Sequence, residues 1–395
     1  MGSRGHIAAL LIVATGVAKA DESLWERLQI HGFASQGVVQ TSDNRWFGDS
    51  PNTSFDFTEL GLNGSFQLNP KVLFSAQVLS RRAGEMYDGQ PSLDYALGDF
   101  TLFAAPEGRL GIRVGRIKNP LGLYNETRDV PFTRPTIFLP QVVYYDRLRN
   151  LILSSDGLVF YGESFQPWGN LSLTLGGGQP VIDDNVEWVL LTSDFDGSME
   201  SDGNSFVGSI WYETQDGAFK AGLSGATAPL RFKPGIASIL GPGKINFDYW
   251  IASLQYNAEK LTLSAEYGRT PIEWSDFGPY WPLPKQTTEG YYLQGTYRIL
   301  PELEFTLRYE EGFADRNDRS GKRYSALTGG VSPPFESYSK IFTAGVRWYI
   351  LPNLMVELDY SRHRGTFDLS YRENPDPSQL VRDWDRFAAQ ISVRF

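Results

Sequence analysis

The chain has 395 residues, a formal net charge of -10, a mean hydropathy of -0.29, 14% aromatic residues and no cysteine. The acidic balance argues against nucleic acid as a partner, and the lack of cysteine excludes a disulfide scaffold, a thiolate metal site and a cysteine nucleophile. The aromatic content does not suit a disordered chain.

Taken in order, the sequence begins with Arg4, an apolar stretch over 7–17 and Ala18-Lys19-Ala20. A basic start, an apolar core and an A-x-A site read as a secretory signal peptide over residues 1–20, with the mature chain starting at Asp21. Its removal takes away Arg4 and Lys19 and no acid, so the net charge moves from -10 to about -12. No later apolar run approaches the length of a membrane helix.

From residue 28 onward the chain alternates apolar and polar residues, the period of a strand with two different faces. A first strand is expected over 28–40 and a second over 55–68, with Leu60, Leu62, Phe66 and Leu68 on one face and Glu59, Asn63, Ser65 and Gln67 on the other. Asn69-Pro70 is a tight turn, since proline fixes φ and cannot continue a ladder. The next strand, 71–82, places Val72, Phe74, Ala76 and Val78 outward and Ser75, Gln77 and Arg81 inward.

Six further short turns are centred on Pro106, Pro167, Asp216, Ala258, Pro301 and Pro352. Eight longer connections are expected near residues 47, 87, 134, 190, 237, 280, 325 and 374. Seven turns and eight loops make fifteen connections and sixteen strands, with both termini on the short-turn side. The segments 28–40, 157–166 and 206–214 fit either phase, which leaves fourteen or eighteen strands open.

The later strands set Leu263, Leu307, Leu358 and their like against Ser264, Glu266, Arg308, Glu357 and Asp359, and end in Tyr256, Tyr267, Tyr297, Tyr309, Trp348 and Tyr360. A polar inside, a short apolar outside and flanking aromatics describe an all-β, transmembrane antiparallel β-barrel, a single unit over 21–395 with short turns at one end and long loops at the other. A soluble β-sandwich also alternates, but it does not account for the signal peptide and the turn-loop asymmetry together.

The final stretch reads F-A-A-Q-I-S-V-R-F. Phe387, Ala389, Ile391, Val393 and Phe395 share one face, and the last residue is aromatic. This resembles the C-terminal assembly signal of bacterial outer-membrane barrels, which the barrel-assembly machinery reads. The resemblance implies an outer membrane of a Gram-negative bacterium as the location, with membrane lipid and lipopolysaccharide as surroundings.

A sixteen-stranded barrel encloses water and needs a constriction to be selective. The third long loop, 116–150, carries Pro120, Pro131, Pro135 and Pro140 among apolar residues that want a wall to pack against. It follows the fifth expected strand, 109–117. The run G-R-I-K-N-P-L-G-L-Y-N-E-T-R-D-V over 115–130 resembles the loop of Gram-negative porins, including those related to the phosphate-selective type. In that superfamily the loop folds into the barrel and forms the eyelet, and the barrels are usually trimers. The resemblance therefore implies a homotrimeric channel for small hydrophilic solutes, with no cofactor.

Within the loop, Arg116, Lys118, Arg128, Arg134, Arg147 and Arg149 outnumber Glu126, Asp129 and Asp146. The expected inward faces add Arg81, Arg113, Arg298, Arg308 and Arg347 against Glu59, Glu266, Glu304, Glu357 and Asp359. Rings of arginine and lysine screen ions by sign and grip oxyanions. The expected eyelet is Arg81, Arg113, Arg116, Lys118, Glu126, Arg128, Asp129, Arg134, Arg308 and Arg347, mildly anion-preferring. The competing reading is that these charges pair and pin the loop with little selectivity. A mature chain poor in lysine speaks against strict phosphate selectivity.

Two function classes follow: a passive diffusion porin, and a channel specific for one oxyanion or carboxylate. An energised receptor would need a plug domain before the barrel, and the leader is too short for one. The only histidine with a case for catalysis is His363, whose ordinary reading is a solvated side chain between Arg362 and Arg364. Asp183-Asp184, Asp194 with Asp196, and the acids between Asp315 and Asp318 lack the twelve-residue spacing of a dedicated calcium loop. Gly176-Gly177-Gly178 is not followed by the lysine or helix of a phosphate-cradling loop, and reads instead as a close approach between strands.

Overall fold

A computed structural model describes residues 26–279, 281 and 283–395. The signal peptide over 1–20 lies outside the described residues. The strands are β1 (Leu28–Thr41), β2 (Ser54–Asn69), β3 (Val72–Ala83), β4 (Tyr87–Ala105), β5 (Gly108–Lys118), β6 (Ser154–Gln166), β7 (Gly169–Pro180), β8 (Gly197–Ser201), β9 (Ser205–Glu213), β10 (Phe219–Pro234), β11 (Lys244–Asn257), β12 (Leu261–Ser275), β13 (Lys285–Leu300), β14 (Leu303–Phe313), β15 (Tyr338–Leu351), β16 (Leu354–Gly365) and β17 (Asp383–Arg394). All belong to one antiparallel sheet, and β17 pairs back onto β1.

Segments β8 and β9 run end to end along β10, with Ser201 opposite Leu230 and Phe206 opposite Thr227. They form one stave interrupted at 202–204, so the sheet is a closed barrel of sixteen staves. Closure removes the unpaired edge that an open sheet would present. At the seam Phe395 and Gly32 exchange backbone hydrogen bonds of 3.0 and 3.2 Å.

The alternation sorts as expected. Leu60, Leu62, Phe74, Val78, Leu263, Leu307 and Leu358 are exposed on the outside, while Glu59, Gln77, Ser264, Glu266, Arg308, Glu357 and Asp359 are buried inside. On β17, Phe387, Ile391, Val393 and Phe395 face out, and Ala388, Gln390 and Ser392 face in. The three ambiguous segments also take definite phases. Phe33, Ser35 and Val39 point inward on β1; Leu158 and Phe160 point outward on β6; Phe206 and Ile210 point outward on β9.

Outward aromatics form two belts. Tyr297 and Trp348 lie near the short turns, and Tyr291 and Phe342, six residues further along the same strands, lie near the loops. Six residues of strand span roughly 20 Å, a height suited to a tilted strand crossing the apolar layer. No helix among the described residues is long and apolar enough to cross a membrane; the strands carry the apolar band.

Seven short turns of two to five residues join the strands at one end. At the other end the second connection departs from expectation: instead of a long loop near residue 87, only 84–86 separates β3 from β4. Positive φ at Gly84 and Gly89, with register shifts between Gln77 and Val78 and between Ser80 and Arg82, lets residues from Tyr87 onward keep pairing with β3. The polar residues of that stretch thus sit in a hairpin extending β3 and β4 rather than in a loop.

Candidate functional site

Residues 119–153, between β5 and β6, fold into the barrel. Asn119 N donates to Leu153 O at 2.8 Å, so the loop leaves and re-enters the wall at one point. Two short helices, α1 (Gln141–Tyr144) and α2 (Arg149–Leu153), punctuate it. Ile137, Phe138, Leu139, Val142, Val143, Leu148 and Ile152 are all buried. Burying such a side chain yields roughly 1.5–3 kcal/mol, against about 1–2 kcal/mol per residue for fixing the backbone. An apolar loop can therefore order against the wall, where a polar one of this length would not.

Polar anchors fix where it lies. Gly122 N donates to Ser224 of β10 and Leu123 N to Glu266 of β12, each at 2.8 Å. The Tyr144 hydroxyl reaches the other Glu266 oxygen at 2.5 Å, and Tyr249 of β11 donates to Val143 O. Ile137 N donates to Asp359 of β16 at 2.8 Å. On the opposite side Arg134 grips Glu59 of β2 and touches Gln390 of β17 at 3.3 Å. Near the tip, the Arg394 guanidinium stands 4.4 Å from the centre of the Phe132 ring. The loop crosses the lumen from wall to wall.

Most of the expected eyelet charges are spent on this anchoring. Arg81 pairs with Glu59 at 3.2 Å and Asp146 at 3.3 Å, and Arg128 with Asp146 at 3.2 Å and Tyr144 O at 2.7 Å. Lys118 joins Asp94 at 2.7 Å and also Asp129, which Arg149 engages from the other side. Arg308 donates to Glu310, Thr136 and Phe138 O at 2.8, 2.7 and 3.1 Å. Arg347 lies 3.3 Å from both Glu304 and Glu357.

Two of the expected residues open onto solvent. Arg113 is half-buried, 3.0 Å from Asp99 and stacked on Tyr161, and Glu126 is exposed, with Arg113 and Lys220 the cations acting on it. They face the wall of β4 to β10, where Glu163, Trp211 and Lys220 are also only partly buried. Arg116 is displaced from its expected place. It shares the outward face of β5 with Leu110 and Val114 and pairs with Asp156 at 2.7 Å. The strand continues through residue 118, so alternation governs Arg116 where the sequence reading starts the loop. Arg298 keeps the inward phase of Tyr292 and Gln294 on β13 and lies exposed near the short-turn end, 3.1 Å from Glu304.

Several participants were not read from the sequence. Trp46 and Phe47, from the connection 42–53, turn inward onto Phe138, with centroids 5.7 and 5.4 Å apart. Arg386 caps this cluster, 4.3 Å from Trp46 and 4.4 Å from Phe138. The signal was present: two adjacent aromatics in an otherwise polar loop need cover. His363 corrects the reading of a solvated side chain. Arg362 and Arg364 take the outward face, so His363 points inward, fully buried, stacked on Trp384 at 3.8 Å with Asp368 3.3 Å from Nδ1. Among the described residues, no group of three or more acids or histidines gathers as a metal site.

A closed barrel of sixteen staves with an apolar outer band and an inward loop after the fifth strand is the architecture of outer-membrane porins. No protein-family model matches the sequence, and no curated protein does. Solved structures match the fold. The trimer form of OmpT, an outer membrane protein of Vibrio cholerae, is 10% identical at a TM-score of 0.56, covering 93% of this chain and 99% of that one. OmpF of Salmonella typhi is 17% identical with a TM-score of 0.54, covering 93% and 97%. The outer membrane channel DcaP of Acinetobacter baumannii is 12% identical with a TM-score of 0.53, again covering 93% and 97%.

Proposed function

We propose that this protein is a porin of the Gram-negative outer membrane, a water-filled channel through which small hydrophilic solutes diffuse passively. The observation that carries the reading is the loop over 119–153, anchored to β2, β10, β11, β12, β16 and β17 so that anything crossing the barrel must pass it. The DcaP structure of the same fold is described as a channel, which agrees with that reading.

The constriction is mildly anion-preferring. In one cluster of the loop and the adjoining wall, five buried cations, Arg81, Lys118, Arg128, Arg134 and Arg149, face four carboxylates, Glu59, Asp94, Asp129 and Asp146. Pairing cancels most of the field and leaves one positive charge in excess, so the preference is weak. Reversal potentials across a bilayer in a salt gradient test it: the expected permeability ratio favours the anion slightly, and a clear preference for the cation overturns the assignment.

Three copies make the working unit. Support comes from the trimer form of the OmpT structure and from a shallow groove on the outer wall where Gly64, Ala76, Ala96 and Gly98 leave room beside Phe66 and Phe74. Small residues on a lipid-facing wall allow close approach of a neighbour. The closing strand acts in assembly: Phe387, Ile391, Val393 and Phe395 form the outward face that the assembly machinery reads, without contact with the solute path.

A further inference from the structure

A second site lies above the constriction. Five external connections and the outer strand ends enclose a cavity of about 420 Å³, whose floor is the inward loop. One wall is apolar: Leu190 of the helix α3 (Asp184–Leu191), Phe247 and Trp274 are buried yet line the space. Inorganic ions gain nothing from such a wall, whereas a ligand with an apolar body does.

At the floor, Arg147 is buried and forms no ion pair among the described residues. One of its amino groups donates to Leu369 O at 3.2 Å, the guanidinium stacks on Phe367 at 4.5 Å, and Nε has no hydrogen-bond partner among the described residues. Arg81, Lys118, Arg128, Arg134 and Arg149, by contrast, each have a carboxylate in contact. A buried guanidinium with a spare N–H calls for an oxyanion.

We propose that this cavity binds an amphipathic monocarboxylate, its carboxylate on Arg147 and its apolar or aromatic body against Leu190, Phe247 and Trp274. Glu336 also lines the cavity with Oε2 unpartnered. Burial raises its carboxyl above the ordinary range, while the nearby Arg147 charge acts the other way. The solute is thus held at the mouth before it meets the eyelet, which deepens the porin reading and rests on it.

The test is calorimetric titration of the full-length barrel, folded in detergent, with 4-phenylbutyrate; binding is read whether or not the protein conducts. Saturable binding is expected, at least tenfold tighter than acetate, 4-phenylbutanol or 4-phenylbutylamine. Arg147→Gln should weaken it at least tenfold. Leu327→Trp, at an exposed position on the rim, should also weaken it by filling the space, and it leaves the buried floor untouched if Arg147→Gln fails to fold. Equal affinity for the acid and the alcohol, tighter binding of the amine, or unchanged binding in folded Leu327→Trp overturns the proposal. A barrel that binds phenylbutyrate but passes no current in bilayers contradicts the channel reading and leaves the site standing.

Discussion

Arg134 in the inward loop and Glu59 on β2 meet through two parallel hydrogen bonds of 3.2 and 2.7 Å, with both side chains buried. A fork-on-fork pair of this kind fixes position as well as charge. Removing one partner leaves the other buried and poorly compensated, at a cost of about 3–5 kcal/mol. Arg134→Met should therefore free the middle of the loop, seen as larger and noisier single-channel currents. Glu59→Gln should do the same, and the double variant should cost clearly less than the sum. Additive effects would mean that the pair does not act as a unit.

The loop backbone also rides directly on the wall. A Cβ at Gly290 would collide with the Val142 carbonyl, and one at Gly312 would sit 2.7 Å from the Val142 side chain. Gly290→Leu should push the loop off β13 and β14, making residues 119–153 sensitive to protease while the barrel stays folded. Gly64 is the control: its nearest neighbour would be 3.7 Å away, so Gly64→Ala should leave protease resistance unchanged.

How much of this was legible in the sequence differs by region. Strand phase was readable wherever an apolar outer face met a polar inner one, as at Leu263 against Ser264, because lipid and lumen impose opposite demands on neighbours. The inward loop was readable from its apolar residues. Partners of its charges were not: Arg134 finds Glu59 across 75 positions of sequence, and nothing local marks that pairing. Arg116 was misplaced because a strand end and a loop start look alike when the chain is basic on both sides. His363 was misplaced because arginines on either side suggest water, although alternation turns the middle residue inward.

The external connections carry a pH-sensitive tie. Glu373 accepts from Phe47 N and Gly48 N, both at 2.7 Å. Burial, with repulsion from Glu85 in addition, raises its carboxyl from 4.5 to about 7, and the backbone donors offset only part of this. A raised folded-state value means the protonated acid is the form favoured by folding. Its stabilisation is complete below about 4.5 and is lost as the pH rises through about 7. Once the intrinsic base catalysis of exchange is divided out, the protection of amides at residues 42–53 should accordingly be higher at pH 5 than at pH 8. Glu373→Gln should flatten that difference; an undiminished pH dependence in the variant would assign it to another group.

The closing strand makes a separate prediction. The Phe395 ring covers Gly32, where any Cβ would strike it, and the backbones of the two residues are paired across the seam. Deleting Phe395 should lower the amount of barrel inserted into membranes several-fold, while pores that do insert keep the conductance of the intact protein. A changed conductance would place Phe395 in the transport path instead.

The measurement that bears most directly on the whole account is the single-channel conductance of a barrel without its inward loop. Asn119 and Leu153 are already joined by a 2.8 Å backbone hydrogen bond, so a short Gly-rich turn can replace residues 120–152 without straining the wall. The intact protein should conduct in small, nearly ohmic steps, and the shortened one in steps several-fold larger with the weak anion preference gone. Equal conductance in the two would mean that the loop is not the constriction, and a folded, loop-free barrel that passes no ions would contradict the assignment as a channel.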